Sequence, residues 1–192
     1  QALIEALQSV LKLDGIYAKY RTPEPSAVHT KLVWGELAPE EIIIEEGKGK
    51  YAVRIMEGLM TGLFLDQRAN RDWLQKHSDR KRVCNTFSYT GSLSIACGLG
   101  NAFVTRSIDL SRTYTDWCRH NLALNDLLIP EHESITSDTF AHFAYCKRKG
   151  IKYDLIILDP PTFSKNIKGT FSLPDNYERL VKEAIELLSP KG

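Results

Sequence analysis

The sequence lacks the features that mark several classes of protein. No apolar run reaches the roughly 18 residues that a transmembrane helix requires, and no secretory signal opens the chain. The four cysteines show no CxxC spacing, so we expect neither a metal site nor a disulfide framework. The net charge of +1 is too small to indicate nucleic-acid binding by charge alone, although it does not exclude it. We expect a cytoplasmic protein without a metal.

The pattern of the chain changes near residue 60. Its 192 residues, with 43% hydrophobic content, suit one globular domain and a smaller appendage. Residues 1–60 combine an amphipathic segment over 1–13 with short β-type runs separated by proline and glycine, and 47–49 is typical of a hairpin turn. We therefore predict a small β-rich N-terminal module over 1–60, opened by a helix, and a second domain over 61–192.

Strands and helices alternate in the second domain. The candidate strands are 82–87, 102–108, 134–136 and 153–158. The candidate helices are 66–76, 91–98, 112–124, 139–149 and 177–188. Apolar strands that alternate with helices predict an α/β fold, in which helices cover both faces of a parallel sheet. Such sheets usually have more than four strands, so we expect that C-terminal strands of the core are missing from this chain.

The first strand-to-helix turn is where an open α/β sheet binds a nucleotide-type ligand. It contains Asn85, Phe87, Ser88, Tyr89, Thr90 and Gly91. The turn is not GxGxxG and lacks the spacing of a phosphate cradle, which disfavours a dinucleotide and hence a nicotinamide dehydrogenase. Phe87, Thr90 and Gly91 suit a turn that an amino-acid moiety can approach closely. The alternative is an ordinary helix N-terminus.

Two acidic residues follow the next two candidate strands. Asp109 lies about 20 residues beyond the first turn, where an acidic residue can accept hydrogen bonds from both hydroxyls of a ribose. The alternative is that Asp109 caps the helix that starts at Ser111. Asp138 could accept a hydrogen bond from an adenine amino group, or it could cap the helix that starts at Thr139. The sequence favours ribose binding for Asp109 and leaves both roles open for Asp138.

The fourth strand ends in an Asp-Pro-Pro sequence, which is the most informative stretch of the chain. Two prolines fix the backbone as it leaves the sheet, so the Asp159 carboxylate and the Pro160 carbonyl are presented at the strand end. Phe163 can stack on a base, and Lys165 and Lys168 are placed to contact phosphate. The alternative is a tight turn that carries solvated lysines.

Three motifs together resemble the class I S-adenosylmethionine-dependent rRNA methyltransferases: FSYTG at 87–91, DLSRTY at 109–114 and DPPTFS at 159–164. The resemblance is strongest to the C-terminal, guanine-N7 half of the ribosomal RNA large subunit methyltransferase K/L family. TGLFLDQR at 61–68 also matches that family. The resemblance covers roughly residues 50–192.

This resemblance implies a Rossmann-like fold and methyl transfer from S-adenosylmethionine to a base of 23S rRNA, with S-adenosylhomocysteine as the product. It assigns cofactor binding to Phe64, Asp66, Arg68, Asn85, Phe87, Ser88, Tyr89, Thr90, Gly91, Asp109, Leu110, Ser111, Asp138, Thr139 and Asp159. It assigns catalysis to Asp159, Pro160 and Phe163, and RNA phosphate contacts to Lys165 and Lys168.

The target atom is less well determined than the cofactor. Guanine N7 carries a lone pair and no proton, so it needs no general base. We interpret His120 and His142 as surface or helix-face residues of predicted helices. An exocyclic amine or cytosine C5 is the alternative target. A small-molecule or protein methyltransferase would have the same fold. A non-catalytic RNA-binding module that kept the fold is the alternative outside enzymes.

Overall fold

The structure is a computed structural model that describes residues 2–21, 28–166, 169–190 and 192, with side chains for 2–20, 29–163, 171–190 and 192. The chain divides into two compact units, Gln1–Ile44 with Ala52–Leu63 and Glu45–Tyr51 with Phe64–Gly192. The division after residue 60 stays a prediction for the whole protein. Within the described ranges, no helix is long and apolar enough to cross a membrane.

The first unit begins with helix α1, Ala2–Val10, which is shorter than the predicted 1–13 and buries none of its residues. Strands β1, Gly15–Arg21, and β2, Val28–Gly35, then form an antiparallel pair. Strands β3, Ile42–Glu46, and β4, Gly49–Val53, form a second pair. Gly47 turns this hairpin with a φ of 59°, a conformation that glycine adopts readily.

The second unit continues the alternation of strands and helices. Its elements are a 3-10 turn at Leu65–Gln67, α2 Arg68–His77, β5 Arg82–Thr86, α3 Ser92–Leu99, β6 Val104–Asp109, α4 Arg112–Leu124, β7 His132–Thr136, α5 Thr139–Lys149, β8 Leu155–Leu158, β9 Phe163–Asn166, β10 Gly169–Ser172 and α6 Leu173–Ile185. Strands β5 to β8 form one parallel sheet in the order β7-β6-β5-β8. The predicted Rossmann-like α/β fold is therefore confirmed.

The order of the strands positions the site. From β5 the chain builds outward through β6 to β7, and it then crosses to the other side of β5 to form β8. Thr86 pairs with both Ile108 and Leu158, so the carboxyl ends of β5, β6 and β8 lie level at one edge. Ligands of open α/β sheets bind in the crevice outside such strand ends, where the strand order reverses.

Two apolar clusters form the core of the second unit. One contains Cys84, Ile108, Phe143, Cys146, Tyr153, Leu180, Ala184 and Leu187. The other contains Leu74, Val83, Leu93, Ala96, Cys97 and Ala102. Val83 and Cys84 are consecutive in β5 and belong to different clusters, because successive side chains of a strand point to opposite faces. Cys84 and Cys97 are both buried in these clusters.

Of the two interpretations of His142, as a surface or a helix-face residue, the surface one is wrong. Its side chain is 6% exposed, and its Nε2 lies 3.2 Å from the hydroxyl of Tyr153. Burial lowers the pKa of His142 to about 4, so this imidazole is neutral near pH 7. The helical prediction for 139–149 was right, but it did not determine which side of α5 packs on the sheet.

The hairpin of β9 and β10 was not predicted. Phe163 pairs with Ser172, and the two short strands run antiparallel between β8 and α6. Helix α6 begins at Leu173, four residues before the predicted start at 177, and Pro174 lies in its first turn. Proline is favoured there, because the first backbone N–H groups of a helix have no intrahelical partner.

Candidate functional site

The turn between β5 and α3 has an unusual backbone. Phe87, Tyr89 and Gly91 adopt positive φ angles of 53°, 50° and 81°. For residues with a side chain this conformation costs about 1–2 kcal/mol each, and such strained residues cluster at ligand sites. The Ser88 N–H donates to the carbonyl of Ile108 at 2.9 Å, which anchors the turn to β6.

Gly91 is required by packing as well as by its backbone angle. A Cβ atom at this position would lie 2.2 Å from the Sγ atom of Cys118, which belongs to α4. The start of α3 therefore packs against α4 at a distance that only glycine permits. The packing of Gly91 on Cys118 and the hydrogen bond from Ser88 to β6 together hold the turn in place.

Asp109 connects this turn to the start of α4. One carboxylate oxygen accepts a hydrogen bond from the Tyr89 N–H and the other from the Ser111 N–H, each at 2.9 Å. Burial raises the pKa of Asp109, and the backbone N–H groups of Ser111, Tyr89 and Leu110 oppose this rise. The N-cap of α4 is Ser111, whose hydroxyl accepts from the Tyr114 N–H at 3.4 Å. Each carboxylate oxygen can accept a further hydrogen bond, so the proposed ribose contacts are compatible with these bonds.

Aromatic rings surround Tyr89 beside this carboxylate. The ring centroid of Tyr89 lies 5.3 Å from that of Phe64 and 4.6 Å from that of Tyr114. Phe64 was predicted as a site residue, whereas Tyr114 was not. The sequence pointed to Tyr114 only through the DLSRTY motif that contains it. The contact of Tyr114 with Tyr89 depends on how α4 packs.

The Asp159 carboxylate lies on the other side of the sheet edge, after β8. Its Oδ2 accepts a hydrogen bond from the Gln67 side-chain amide at 3.2 Å. Asn70 donates to the Oε1 of Gln67 at 2.6 Å, so the amide nitrogen of Gln67 is directed to Asp159. Partial burial raises the pKa of Asp159, and the negative charge of Asp66 raises it further. Sequence reasoning did not assign a role to Gln67 or Asn70.

A cleft of about 280 Å³ runs between α2 and β8 and reaches Asp159. It is open to solvent, and its lining is about as polar as it is apolar. Trp73 and Leu74 of α2 and residues 155–158 of β8 contribute apolar groups, and Gln67, Asn70 and Asp159 contribute polar ones.

The segment after Asp159 presents an aromatic ring. Pro160 is half-buried, whereas Phe163 at the start of β9 is 65% exposed. Phe171 of β10 packs against Phe87, with a distance of 5.2 Å between the ring centroids. The hairpin is thus in contact with the first turn. Of the predicted phosphate contacts, Lys168 and the side chain of Lys165 lie outside the described residues.

Three further residues were predicted to bind the cofactor, namely Asn85, Asp138 and Thr139. Asn85 is 1% exposed, and its side-chain amide donates to the hydroxyl of Ser94 in α3 at 2.9 Å. This hydrogen bond joins β5 to α3. Thr139 is buried, and Asp138 caps α5 by accepting from the Ala141 N–H at 3.0 Å. The capping alternative for Asp138 is what the structure shows, and its adenine contact stays a prediction.

Two further predicted residues are open to solvent. The side chain of Arg68 is 77% exposed and lies 3.8 Å from Glu46, and Leu110 is 41% exposed. Their assignment to the ligand stays a prediction. For the part of the chain that the structure describes, no group of three His, Cys, Asp or Glu side chains is placed to hold a metal ion.

The crevice at these strand ends has a carboxylate, Asp109, with free acceptor capacity, and the first turn lacks the GxGxxG sequence of a phosphate cradle. Such a crevice suits a nucleoside better than a dinucleotide. Comparison with known proteins agrees. The family model of S-adenosylmethionine-dependent methyltransferases matches residues 17–192, so the chain belongs to this family.

Two similar curated proteins are ribosomal RNA large subunit methyltransferase I of Tolumonas auensis and ribosomal RNA large subunit methyltransferase K/L of Hahella chejuensis. Both are 34% identical to this chain and are matched over 99% of it. The chain spans 49% of the first relative and 26% of the second, and thus half of their length or less.

Solved structures extend this likeness. A methyltransferase crystallised in complex with S-adenosylhomocysteine is 37% identical, with a TM-score of 0.79 over 83% of this chain and 42% of its own. A SAM-dependent methyltransferase from Agrobacterium tumefaciens has a TM-score of 0.83 over 98% of this chain and 59% of its own. Its identity is only 24%, so it supports the fold alone.

Proposed function

We propose that the protein transfers a methyl group from S-adenosylmethionine to a base of 23S ribosomal RNA, and that it does so in the cytoplasm. The observation that carries this proposal is the pair of carboxylates at one sheet edge, Asp109 after β6 and Asp159 after β8. The names of the relatives, which are ribosomal RNA large subunit methyltransferases, support the substrate.

The Asp109 side of the site fits the cofactor. Its carboxylate is fixed by two backbone N–H groups and would accept hydrogen bonds from both ribose hydroxyls. The rings of Phe64 and Tyr89 would cover an adjoining part of the ligand, and Asp138 would accept from the adenine amino group. When bound, the cofactor supplies a methyl group on a sulfonium, which is already a good electrophile, so the chain has only to position the acceptor and exclude water.

The Asp159 side fits the acceptor base. The Asp159 carboxylate and the Pro160 carbonyl would accept hydrogen bonds from the edge of a guanine, and Phe163 would stack on its ring. Guanine N7 needs neither a general base nor a nucleophile. The DLSRTY and DPPTFS motifs resemble the guanine-N7 half of the K/L family. We therefore propose guanine N7 as the target, and cytosine C5 as the second candidate.

A transfer assay with a labelled methyl group tests this proposal. The whole protein is incubated with labelled S-adenosylmethionine and 23S rRNA, both as naked RNA and within the large ribosomal subunit, and the digested nucleosides are separated. We expect label in 7-methylguanosine. Label in 5-methylcytidine would support the second candidate. RNA binding without transfer, in a protein that also fails to bind the cofactor, would identify a non-catalytic module.

An Asp159→Asn variant tests the role of Asp159 in the same assay. It keeps the size of the side chain and an oxygen that can accept from Gln67. If Asp159 acts on the acceptor, this variant binds the cofactor like the wild type and transfers methyl more slowly. Equal transfer by both proteins would contradict the role of Asp159.

A further inference from the structure

The hairpin of β1 and β2 has two faces of different character, and the cross-strand pairs define them. Tyr20 pairs with His29, Ala18 with Lys31 and Ile16 with Trp34. Paired residues of an antiparallel sheet project to the same side, and residues two apart in a strand share a side. The register shifts at a β-bulge between Ile16 and Tyr17, so Trp34, three residues after Lys31, is placed by its pairing with Ile16 and not by alternation along β2. On these pairings the six residues share one face, which we call the outer face.

The opposite face is turned towards its own unit. The hydroxyl of Tyr17 donates to the carbonyl of Glu36 at 3.2 Å. The Lys19 ammonium donates to the carbonyls of Gly58 and Glu57 at 2.7 and 3.2 Å. Burial lowers the pKa of Lys19, which agrees with its position beneath the segment at 57–58. The outer face is therefore the side of the hairpin that points away from these contacts.

The outer face exposes large aromatic side chains where a hairpin normally exposes polar ones. Tyr20 is 52% exposed and Trp34 is 38% exposed. His29 and Lys31 are exposed between them on β2, while Ile16 and Ala18 are half-buried. None of these six residues is acidic. Two separated rings, an imidazole and an ammonium are the combination that binds a single strand of nucleic acid by stacking and by phosphate contacts.

The dimensions of the face also favour this ligand. Tyr20 and Ile16, the partner of Trp34, are four residues apart on β1, which separates the two ends of the face by about 13 Å. The small side chain of Ala18 lies between them. The whole face covers about 150 Å² from strand dimensions, which is well below the roughly 800 Å² per partner of a stable protein interface. A chain of a few nucleotides fits such a face, whereas a second copy of this protein would need a larger one.

We propose that the outer face of the β1–β2 hairpin binds single-stranded RNA, with Tyr20 and Trp34 stacking on bases and Lys31 contacting a phosphate. This proposal rests on the proposed function, because it supplies a contact for the RNA substrate outside the methyl-transfer site. This binding does not depend on the base sequence of the RNA, because every base has a face on which a ring can stack.

A binding titration with a short RNA tests the proposal. The affinity of the whole protein for a fluorescein-labelled octamer of uridine is measured by anisotropy, without S-adenosylmethionine. We expect Tyr20→Ala and Trp34→Ala each to weaken binding at least about fivefold, and Trp34→Phe to restore most of the loss. Lys31→Ala should reduce the slope of log affinity against log salt by about 0.7. Tyr145→Ala, which removes a 44% exposed ring of α5, is the control and should bind like the wild type.

The outcomes separate this proposal from the proposed function. Circular dichroism and the melting temperature of each variant first establish that it folds. Equal affinity in wild type, Tyr20→Ala and Trp34→Ala would overturn the RNA surface, even if the wild type methylates rRNA. Loss of octamer binding in these variants, with a wild type that binds no S-adenosylmethionine, would support the surface and contradict the enzyme. A change of oligomeric state in Trp34→Ala with unchanged RNA affinity would show that the face joins two copies, and would also overturn the proposal.

Discussion

The two carboxylates of the site differ in how the chain holds them. Burial raises the pKa of both Asp109 and Asp159. At Asp109 three backbone N–H groups oppose this rise, whereas at Asp159 the neighbouring charge of Asp66 adds to it. Backbone donors cannot move away, so they fix the position of the Asp109 carboxylate. The Asp159 carboxylate is held by the side chain of Gln67 and lies near the charge of Asp66, and both side chains can move.

This difference matches the two tasks that we propose. A ribose is the same in every turnover, and a fixed acceptor binds it without reorganisation. The acceptor base has to enter and leave, and Phe163 beside Asp159 is exposed for it. The fixed side is built from the first turn and α4, and the adjustable side from the 3-10 turn, β8 and the hairpin that follows it.

The largest effect is expected where the fixed side is packed most tightly. Gly91→Ala places a methyl group against the Sγ of Cys118 in a backbone conformation that alanine disfavours. We expect a loss of about 3 kcal/mol or more in the free energy of unfolding, from overpacking and the left-handed angle together. Gly150→Ala is the matched control, because Gly150 has a φ of 65° and no atom within 4 Å of the added Cβ. Urea denaturation that gave the same loss for both variants would contradict the tight packing of this turn.

The next effect concerns the cofactor. Asp109→Ala should weaken S-adenosylmethionine binding at least about 100-fold, because hydrogen bonds to a charged group contribute about 1.5–3 kcal/mol each. Isothermal calorimetry measures this change, and Asp109→Asn separates the charge from the shape. Asp72→Ala removes an exposed carboxylate of α2 that pairs with Lys76, and it should leave the affinity unchanged. If Asp109→Ala bound the cofactor as tightly as the wild type, the ribose assignment would be removed.

A smaller effect is expected on the adjustable side. Phe163→Ala should leave the affinity for S-adenosylmethionine unchanged and lower kcat/KM for RNA about tenfold, since stacking on one base contributes about 1–3 kcal/mol. Phe163→Tyr keeps the ring and should restore transfer. A Phe163→Ala enzyme that lost cofactor affinity as well would show that the two sides are not separate.

The smallest effect is a shift of the pH profile of methyl transfer at saturating cofactor. The ionised Asp159 accepts hydrogen bonds, so the rate should fall on the acidic side as pH drops through its raised pKa. Asp66→Asn removes a like charge, which lowers the pKa of Asp159 and moves this acidic limb to lower pH. Gln67→Leu removes a donor to the ionised form and should move the limb to higher pH. Two profiles that overlie the wild type would contradict the account of Asp159.

The sequence predicted the sheet because short candidate strands alternate with longer helical segments, although only β8 is apolar throughout. It also predicted which residues follow each strand, and hence that Asp109 and Asp159 lie at one edge. The β9–β10 hairpin was missed because its residues do not alternate between apolar and polar, and one of its pairs is Gly169 with Asn166.

Contacts between elements were beyond the sequence, because the rotation of a helix about its axis is a tertiary property. The amide of Asn85 donates to Ser94 of α3, and its assignment to the ligand stays a prediction. His142 was interpreted as a surface or helix-face residue, and the structure places it on the face of α5 that packs against Tyr153. Gln67 reaches Asp159 across 92 residues of sequence, and no local pattern predicts such a contact.

Calorimetric titration of the whole protein with S-adenosylmethionine, and in parallel with NAD, tests the central claim most directly. We predict saturable binding of S-adenosylmethionine alone, because the first turn offers Asp109 for a ribose but no glycine-rich cradle for a pyrophosphate. A folded protein that bound NAD, or that failed to bind S-adenosylmethionine, would contradict the assignment of this crevice.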